Sequence, residues 1–226
     1  MKKYLIKNYD YWNLGYFAPN VESYIFRFYA YFLKPNKIIG RKKVLDFGCG
    51  QGSAVNYFNK LGYNAIGVDI SKKDLGYAKK FYKKLKNKFI KVDPDPSVQN
   101  FYGFKKNIDI VVAAQALYFF NNSDLKICLN KIKSSMKRGG IIFATMQSPK
   151  HYYFKNAKKY KDGLYEVKLK NKRVNVNPHY INYTMSKKDL LKKFDMFDPI
   201  EIGYYDMGLT KNEPQTHHFT FIGRKK

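Results

Sequence analysis

The chain has 226 residues, 45% of them hydrophobic, and 43 Lys and Arg stand against 17 Asp and Glu for a net charge of +26. That length accommodates one sizeable α/β domain and is short for two. Two cysteines, Cys49 and Cys128, exclude a disulfide scaffold and a cysteine-built zinc site.

High positive charge is the footprint of a nucleic-acid or anionic-membrane partner. Here the lysines are spread in doublets such as Lys42-Lys43, Lys72-Lys73 and Lys187-Lys188, in a chain rich in Lys, Asn, Tyr, Ile and Phe. The basicity therefore reads as compositional, and a nucleic-acid partner is not expected. The start, "MKKYLIKNYDYW", has no apolar core of signal-peptide length, and the longest apolar run, "IVVAAQALYFF" (110–120), is too short to span a bilayer. A cytoplasmic protein is the expectation.

Residues 1–40 hold "NVESYIFRFYAYFLK" (20–34), which reads as a helical cap with apolar residues on more than one face. From residue 41 strands and helices alternate. "KKVLDFG" (42–48) is a short apolar strand, and "SAVNYFNKLG" (53–62) an amphipathic helix closed by glycine. "NAIGVDI" (64–70) is the next strand, and "SKKDLGYAKKFYKKL" (71–85) opens with a near capping box, Ser71 three residues before Asp74. "KFIKVD" (88–93) and "IDIVVAAQ" (108–115) follow as strands, then "NSDLKICLNKIKSSMKRGG" (122–140) as a helix stopped by paired glycines, then the strand "IIFATMQ" (141–147).

Residues 148–185 lack helical period and read as an inserted lid, a hairpin through "YEVKL" (165–169) and "RVNV" (173–176). "SKKDLLKKF" (186–194) repeats the Ser-capped helix start, and "IEIGYYDM" (200–207) and "HHFTFIG" (217–223) alternate as strands. The whole is expected to be one domain over 1–226: cap 1–40, ligand-binding core 41–147, lid 148–185 and closing helix and strands 186–226. Strand–helix–strand spacing of this kind implies right-handed crossovers and a parallel sheet, with ligands at the carboxyl ends of its strands.

The chemistry concentrates in "VLDFGCGQG" (44–52), where Gly48, Gly50 and Gly52 fall between a strand and a helix. Gly48 supplies a tight turn and Gly50 lets backbone approach a ligand. The dinucleotide fingerprint needs a glycine where Ser53 stands, and no Lys-Ser/Thr pair follows, so neither that fingerprint nor a Walker phosphate loop is present. Asp46 is placed for a ligand ammonium, and Asp69, ending the second strand, for the two hydroxyls of a ribose.

An acid for an amino group, bare backbone for a carboxylate and an acid for a ribose together describe S-adenosylmethionine. The sequence resembles the class I S-adenosylmethionine-dependent methyltransferases in "VLDFGCGQG", "GVDIS" (67–71), "IDIVVAAQALYFF" (108–120) and "MKRGGIIFATM" (136–146), that is, over about residues 40–147. The resemblance implies a Rossmann-like, seven-stranded, mostly parallel sheet whose last strand, "HHFTFIG", is antiparallel between its neighbours. It places Asp46 and the backbone of Gly48, Cys49 and Gly50 on the methionine moiety, Asp69 on the ribose and Ile70 on the adenine face. It gives the adenine amino group to Asp93 in "VDPDP" (92–96) in preference to Asp95; a proline follows each, so the ring's partner N–H must come from elsewhere. Gln115 is expected beside the sulfonium.

For the acceptor, no acidic cluster with an Asp-Asn pair marks a metal-assisted enzyme, and no metal is expected. "DPDP" is not the [DNS]-P-P-[YFW] of DNA amino-methyltransferases, and neither cysteine follows a proline as a cytosine-C5 nucleophile would. All four histidines, His151, His179, His217 and His218, lie after the cofactor half. His151 and His179 are the candidate bases; His217 and His218 begin a strand and point to opposite faces, so at most one should reach the cleft. Tyr118 and Tyr152 are candidate pocket residues, and Arg27 suits an anionic acceptor.

"YDYWN" (9–13), "PNVESYIFRF" (19–28) and the "HHFTFIGRK" tail are similar to small methyltransferases of bacterial surface-polysaccharide synthesis. That resemblance implies O-methylation of a sugar, or of a phosphoramidate-type group, on a small phosphorylated or nucleotide-linked acceptor. The competing readings are RNA methylation and a non-catalytic subunit on the same fold.

Overall fold

The computed structural model describes residues 20–168, 178–208 and 215–226. Its centre is a seven-stranded sheet in the order β3-β2-β1-β4-β5-β10-β9. Strands β1 (Lys43–Phe47), β2 (Asn64–Asp69), β3 (Phe89–Lys91), β4 (Ile108–Ala113) and β5 (Met136–Gln147) run parallel. β10 (His218–Lys225) lies antiparallel between β5 and β9 (Phe197–Tyr205), as the resemblance implied.

The buried pattern of β1, with Val44 to Phe47 all inside, is that of a strand covered on both faces. One face packs on α4 (Asn122–Ser135), α5 (Lys187–Lys193) and the lid. The other packs on α1 (Ser23–Phe28), α2 (Ser53–Lys60) and α3 (Lys72–Phe81). Helix starts follow their side chains: the oxygens of Ser71, Asn121 and Ser186 accept the backbone N–H groups of Asp74, Asp124 and Asp189. α1 passes into a π-helical turn (Tyr29–Leu33), and Phe28 stacks on Phe143 of β5 with centroids 4.6 Å apart, which fixes the cap to the sheet.

Two expectations are corrected. α4 ends at Ser135 and not at the paired glycines, because Met136 is already extended and pairs with Ile108 of β4. The register then shifts, and Gly140 sits where a Cβ would come within 3.0 Å of the carbonyl oxygens of Ile108 and Lys137. The glycines serve an irregularity in the strand. In the lid, β7 (Tyr165–Val167) does sit in a hairpin, but its partners are β6 (Ala157–Lys159) and β8 (His179–Ile181), forming a three-stranded antiparallel sheet. The expected strand 173–176 lies outside the described residues. Among the described residues no helix is long and apolar enough to cross a membrane.

Candidate functional site

The carboxyl ends of the parallel strands carry the site. Gly48, Gly50 and Gly52 all have positive φ, +77°, +50° and +81°, a sequence only glycine adopts without strain. A Cβ on Gly48 would lie 2.5 Å from that of Ala116, so the loop after β1 and the loop after β4 touch there. A Cβ on Gly50 would meet nothing within 4 Å: this is the open side of the turn. The loop hangs from β2, with the N–H groups of Gly48 and Cys49 both donating to Val68 O at 2.9 and 3.0 Å.

Asp69 completes the cradle. Its Oδ2 accepts the Gly50 N–H at 2.8 Å and its Oδ1 the Ser71 N–H at 2.7 Å. Burial raises its pKa to about 6 in spite of those bonds, which favour the charged form. Asp46, on β1, is buried and has no hydrogen-bond or ion-pair partner among the described residues. Burial, then the neighbouring charge of Asp69, raises it to about 7. A buried carboxylate beside a half-buried one, with no cation at either among the described residues, is a costly arrangement, and an ammonium-bearing ligand would relieve it. Cys49 is buried and its thiol pushed well up by desolvation, so it fills space rather than acting as a nucleophile.

Ile70 is half-buried against the core at the end of β2. Asp93 is exposed; its Oδ1 accepts the Asp95 N–H at 2.8 Å and its own N–H donates to Gln99 Oε1 at 3.1 Å. The Val92 N–H donates to Asp69 O at 3.0 Å, which sets this turn beside the cradle.

Gln115 joins the cradle to a cluster of packed rings, the ring chamber. It has φ +55°, unusual outside glycine, its N–H donates to Thr145 Oγ1 at 2.8 Å, and its Nε2 donates to Tyr205 OH at 3.0 Å. Tyr205 is the middle of a ring stack: Tyr24 of α1 on one side at 4.8 Å, His218 of β10 on the other at 4.8 Å. His218 meets His151 edge to face at 5.4 Å and Tyr118 at 5.6 Å, and Tyr152 stacks on His151 at 5.0 Å. His179, fully buried on β8, lies against Tyr153, which in turn packs on His151.

The structure thus brings together Asp46, Gly48, Cys49, Gly50, Asp69 and Gln115 in the cradle, and Tyr118, His151 and Tyr152 in the chamber. Arg27 is not among them: it is exposed on α1, with its guanidinium over the equally exposed ring of Tyr31. Tyr24 and Tyr205 were missed, because aromatic residues in a chain with 21 tyrosines give no local signal. His218 was passed over too. Buried at the start of β10, it sits across from Gln147 on one side and Tyr205 on the other.

The chamber holds its groups neutral. Burial first, then the neighbouring imidazoles, lowers His151 to about 3; burial lowers His179 and His218 each to about 4. Burial likewise drives the phenols of Tyr24 and Tyr205 upward.

Residues 45–144 match the family described as "Methyltransferase domain". The chain is 33% identical over 123 residues to the ubiquinone biosynthesis O-methyltransferase of Pelagibacter ubique, a match covering 54% of this chain and about half, 48%, of that protein's length. An S-adenosylmethionine-dependent methyltransferase from Methanosarcina mazei superimposes with a TM-score of 0.66 at 16% identity, over 86% of this chain and 97% of the other. The magnesium protoporphyrin IX methyltransferase of Synechocystis PCC 6803 with bound S-adenosylmethionine superimposes with a TM-score of 0.57 at 14% identity, over 100% and 86%. Residues 45–144 thus match the methyltransferase-domain family in sequence, and the chain has the fold of solved S-adenosylmethionine-dependent methyltransferases.

Proposed function

We propose that the protein transfers the methyl group of S-adenosylmethionine to an oxygen of a small acceptor, a sugar hydroxyl or a phosphorus-linked group of a surface-polysaccharide precursor. The observation that carries the cofactor half is Asp46, a buried carboxylate with a raised pKa and, among the described residues, no cation partner, beside a glycine turn open at Gly50. In this reading Asp46 receives the ammonium, the backbone of Gly48 to Gly50 the carboxylate, and Asp69 the ribose hydroxyls. Ile70 packs on the adenine, and Asp93 takes its amino group if its side chain leaves the turn that now holds it.

Bound S-adenosylmethionine supplies an electrophilic methyl group and its own leaving group. The chain's task is then to align the acceptor in line with that methyl, exclude water and receive a proton where one must leave. The ring-lined chamber next to Gln115 serves the first two. The small-molecule reading rests on the burial of the rings that meet there, Tyr24, Tyr118, His151 and His218. The sugar or phosphorus acceptor rests on the sequence resemblance, whose segment 9–13 lies outside the described residues. RNA methylation is supported only by the net charge.

Titration calorimetry of the purified chain with S-adenosylmethionine and with its demethylated product tests the proposal. Micromolar binding of both, with none of NAD, is the expected result. Absence of binding by either would reject it.

A further inference from the structure

The proposed reaction leaves open which group takes the acceptor's proton, and for the two imidazoles in direct contact, His151 and His218, the hydrogen-bond pattern discriminates between them. His151 Nδ1 accepts the backbone N–H of Tyr153 at 3.2 Å. A neutral imidazole has one N–H and one lone pair, so the lone pair of His151 is engaged and its Nε2 carries the hydrogen. His151 is a donor at its free nitrogen.

His218 is wired the opposite way. Its Nδ1 lies 2.6 Å from Thr216 O. A carbonyl oxygen only accepts, so Nδ1 carries the hydrogen and Nε2 the lone pair. That Nε2 is buried and, among the described residues, has no hydrogen-bond partner, in a side chain only 3% exposed. Beside it in the sheet, paired directly across from His218, is Gln147, whose Oε1 is also buried without a partner. Directly opposed residues on adjacent strands project to the same face, so Gln147, His218 and Tyr205 form one row across β5, β10 and β9 at the carboxyl edge. The row meets the cofactor cradle through the Tyr205–Gln115 bond and the contact of Ala116 with Gly48.

Buried polar groups without partners are destabilising and call for an explanation. A ligand that brings donors supplies one. We infer that His218 Nε2 is the base of the reaction, and that the acceptor is a neutral hydroxyl which donates to it, with Gln147 taking a second donor of the same molecule. This rests on the methyltransferase reading above and narrows it. An anionic phosphate or phosphoramidate oxygen would set further lone pairs against those of His218 Nε2 and Gln147 Oε1, whereas a neutral hydroxyl brings the hydrogen that they lack.

The step balances. The acceptor's O–H hydrogen passes to Nε2 and its oxygen forms a bond to the methyl carbon. The carbon–sulfur bond breaks with its electron pair left on sulfur, so the positive charge of the sulfonium ends on the imidazolium. Burial keeps His218 unprotonated beforehand, its pKa near 4, so the accepting form is fully present at neutral pH.

Two measurements on the full chain test this. Long-range proton–nitrogen NMR of protein labelled with [15N]histidine reads tautomers without any substrate. His218 should show a protonated Nδ1 and a bare Nε2, and His151 the reverse; a protonated Nε2 on His218 overturns the assignment. Methyl transfer to UDP-glucose and UDP-N-acetylglucosamine, which carry neutral hydroxyls and an anionic diphosphate together, reads the position by mass fragmentation. Methyl on a sugar hydroxyl is expected, and methyl on phosphate overturns the proposal. His218→Asn keeps a donor to Thr216 O and lacks an atom at Nε2. It should cut kcat by about 10²–10⁴-fold while cofactor affinity and melting temperature hold, whereas His151→Gln should lose far less. Undiminished turnover in His218→Asn overturns the base. Should neither sugar nucleotide react, the tautomer result alone decides. Failure of the wild type to bind S-adenosylmethionine would reject the function itself, whereas binding with the wrong tautomer rejects only the base.

Discussion

The two ends of the site solve opposite electrostatic problems. At the cradle, Asp46 and Asp69 are acids that burial has pushed up toward neutrality, to about 7 and about 6. At the chamber, His151, His179 and His218 are bases that burial has pushed down, to about 3, 4 and 4. Desolvation is the largest cause in every case and penalises charge of either sign. The difference is what can relieve it. A cation beside Asp46 would restore the ionised carboxylate, whereas the chamber's imidazoles stay neutral among packed rings.

The two ends also respond to protons with opposite sign. An acid whose folded pKa lies above its unfolded value of about 4 holds its proton longer in the folded state. The two acids therefore oppose folding above pH 7 and cease to do so as pH falls toward 4. Histidines with depressed pKa bind protons more readily unfolded, so they oppose folding as pH falls from about 6.5 toward 4.

The largest expected effect tests whether the cradle needs its charge. Asp46→Ala should weaken S-adenosylmethionine binding by about 3–5 kcal/mol, the scale for breaking a buried ion pair, while leaving the melting temperature unchanged or raised, since an uncompensated buried acid is gone. Calorimetry showing wild-type affinity would move the ammonium elsewhere.

Next is a contrast between neighbouring glycines. Gly48→Ala meets both a positive φ and Ala116 at 2.5 Å, and should destabilise the fold by about 2–4 kcal/mol. Gly50→Ala meets only its φ of +50° and should cost the fold about 1–2 kcal/mol, with the larger loss in cofactor affinity. Denaturant melts with and without the demethylated product separate the two. Equal stability losses would mean that the open side of the turn is not where the ligand lies.

How much of this was legible follows the range of the interactions. The strand–glycine turn–helix unit and Asp69 are set by residues within a few positions of one another, and the pattern of "VLDFGCGQG" and "GVDIS" carries them. The antiparallel β10 came from the resemblance, not from its own alternation. The end of α4 was misplaced because Ile108, a residue 28 positions upstream in sequence, pairs with Met136 before the glycines arrive. The lid sheet and the meeting of His151 with His218 depend on chain segments brought together only by the sheet order. The tautomer of His218 depends on a carbonyl placed by the approach to β10, which no spacing of residues announces.

Asp69→Ala should remove the ribose contacts for about 1.5–3 kcal/mol of affinity, but Asp69 also ties down Gly50 and Ser71. Asp69→Asn keeps an acceptor for one of those N–H groups and should fall between. If both variants bind as the wild type does, the ribose is held elsewhere.

The smallest effect is the most direct reading of the cradle's electrostatics. The cofactor's amino group is an α-amine, protonated below about 7.7, so any loss of affinity on the acid side belongs to the protein. Asp46, raised to about 7 before the ligand arrives, must shed its proton to receive an ammonium. Below pH 7 affinity should therefore fall by up to tenfold per pH unit, about 1.4 kcal/mol. Binding at pH 6, followed calorimetrically in buffers of different ionisation enthalpy, should release close to one proton. Asp46→Asn should bind more weakly at pH 7.5 but lose most of that slope, since an amide does not titrate; what remains near pH 6 belongs to Asp69. His151, His179 and His218 leave this window undisturbed because burial holds them neutral down to about pH 4. Equal affinity at pH 6 and pH 7.5 with no proton released would mean that Asp46 is ionised before the ligand binds, and that another group than the cofactor's ammonium compensates it.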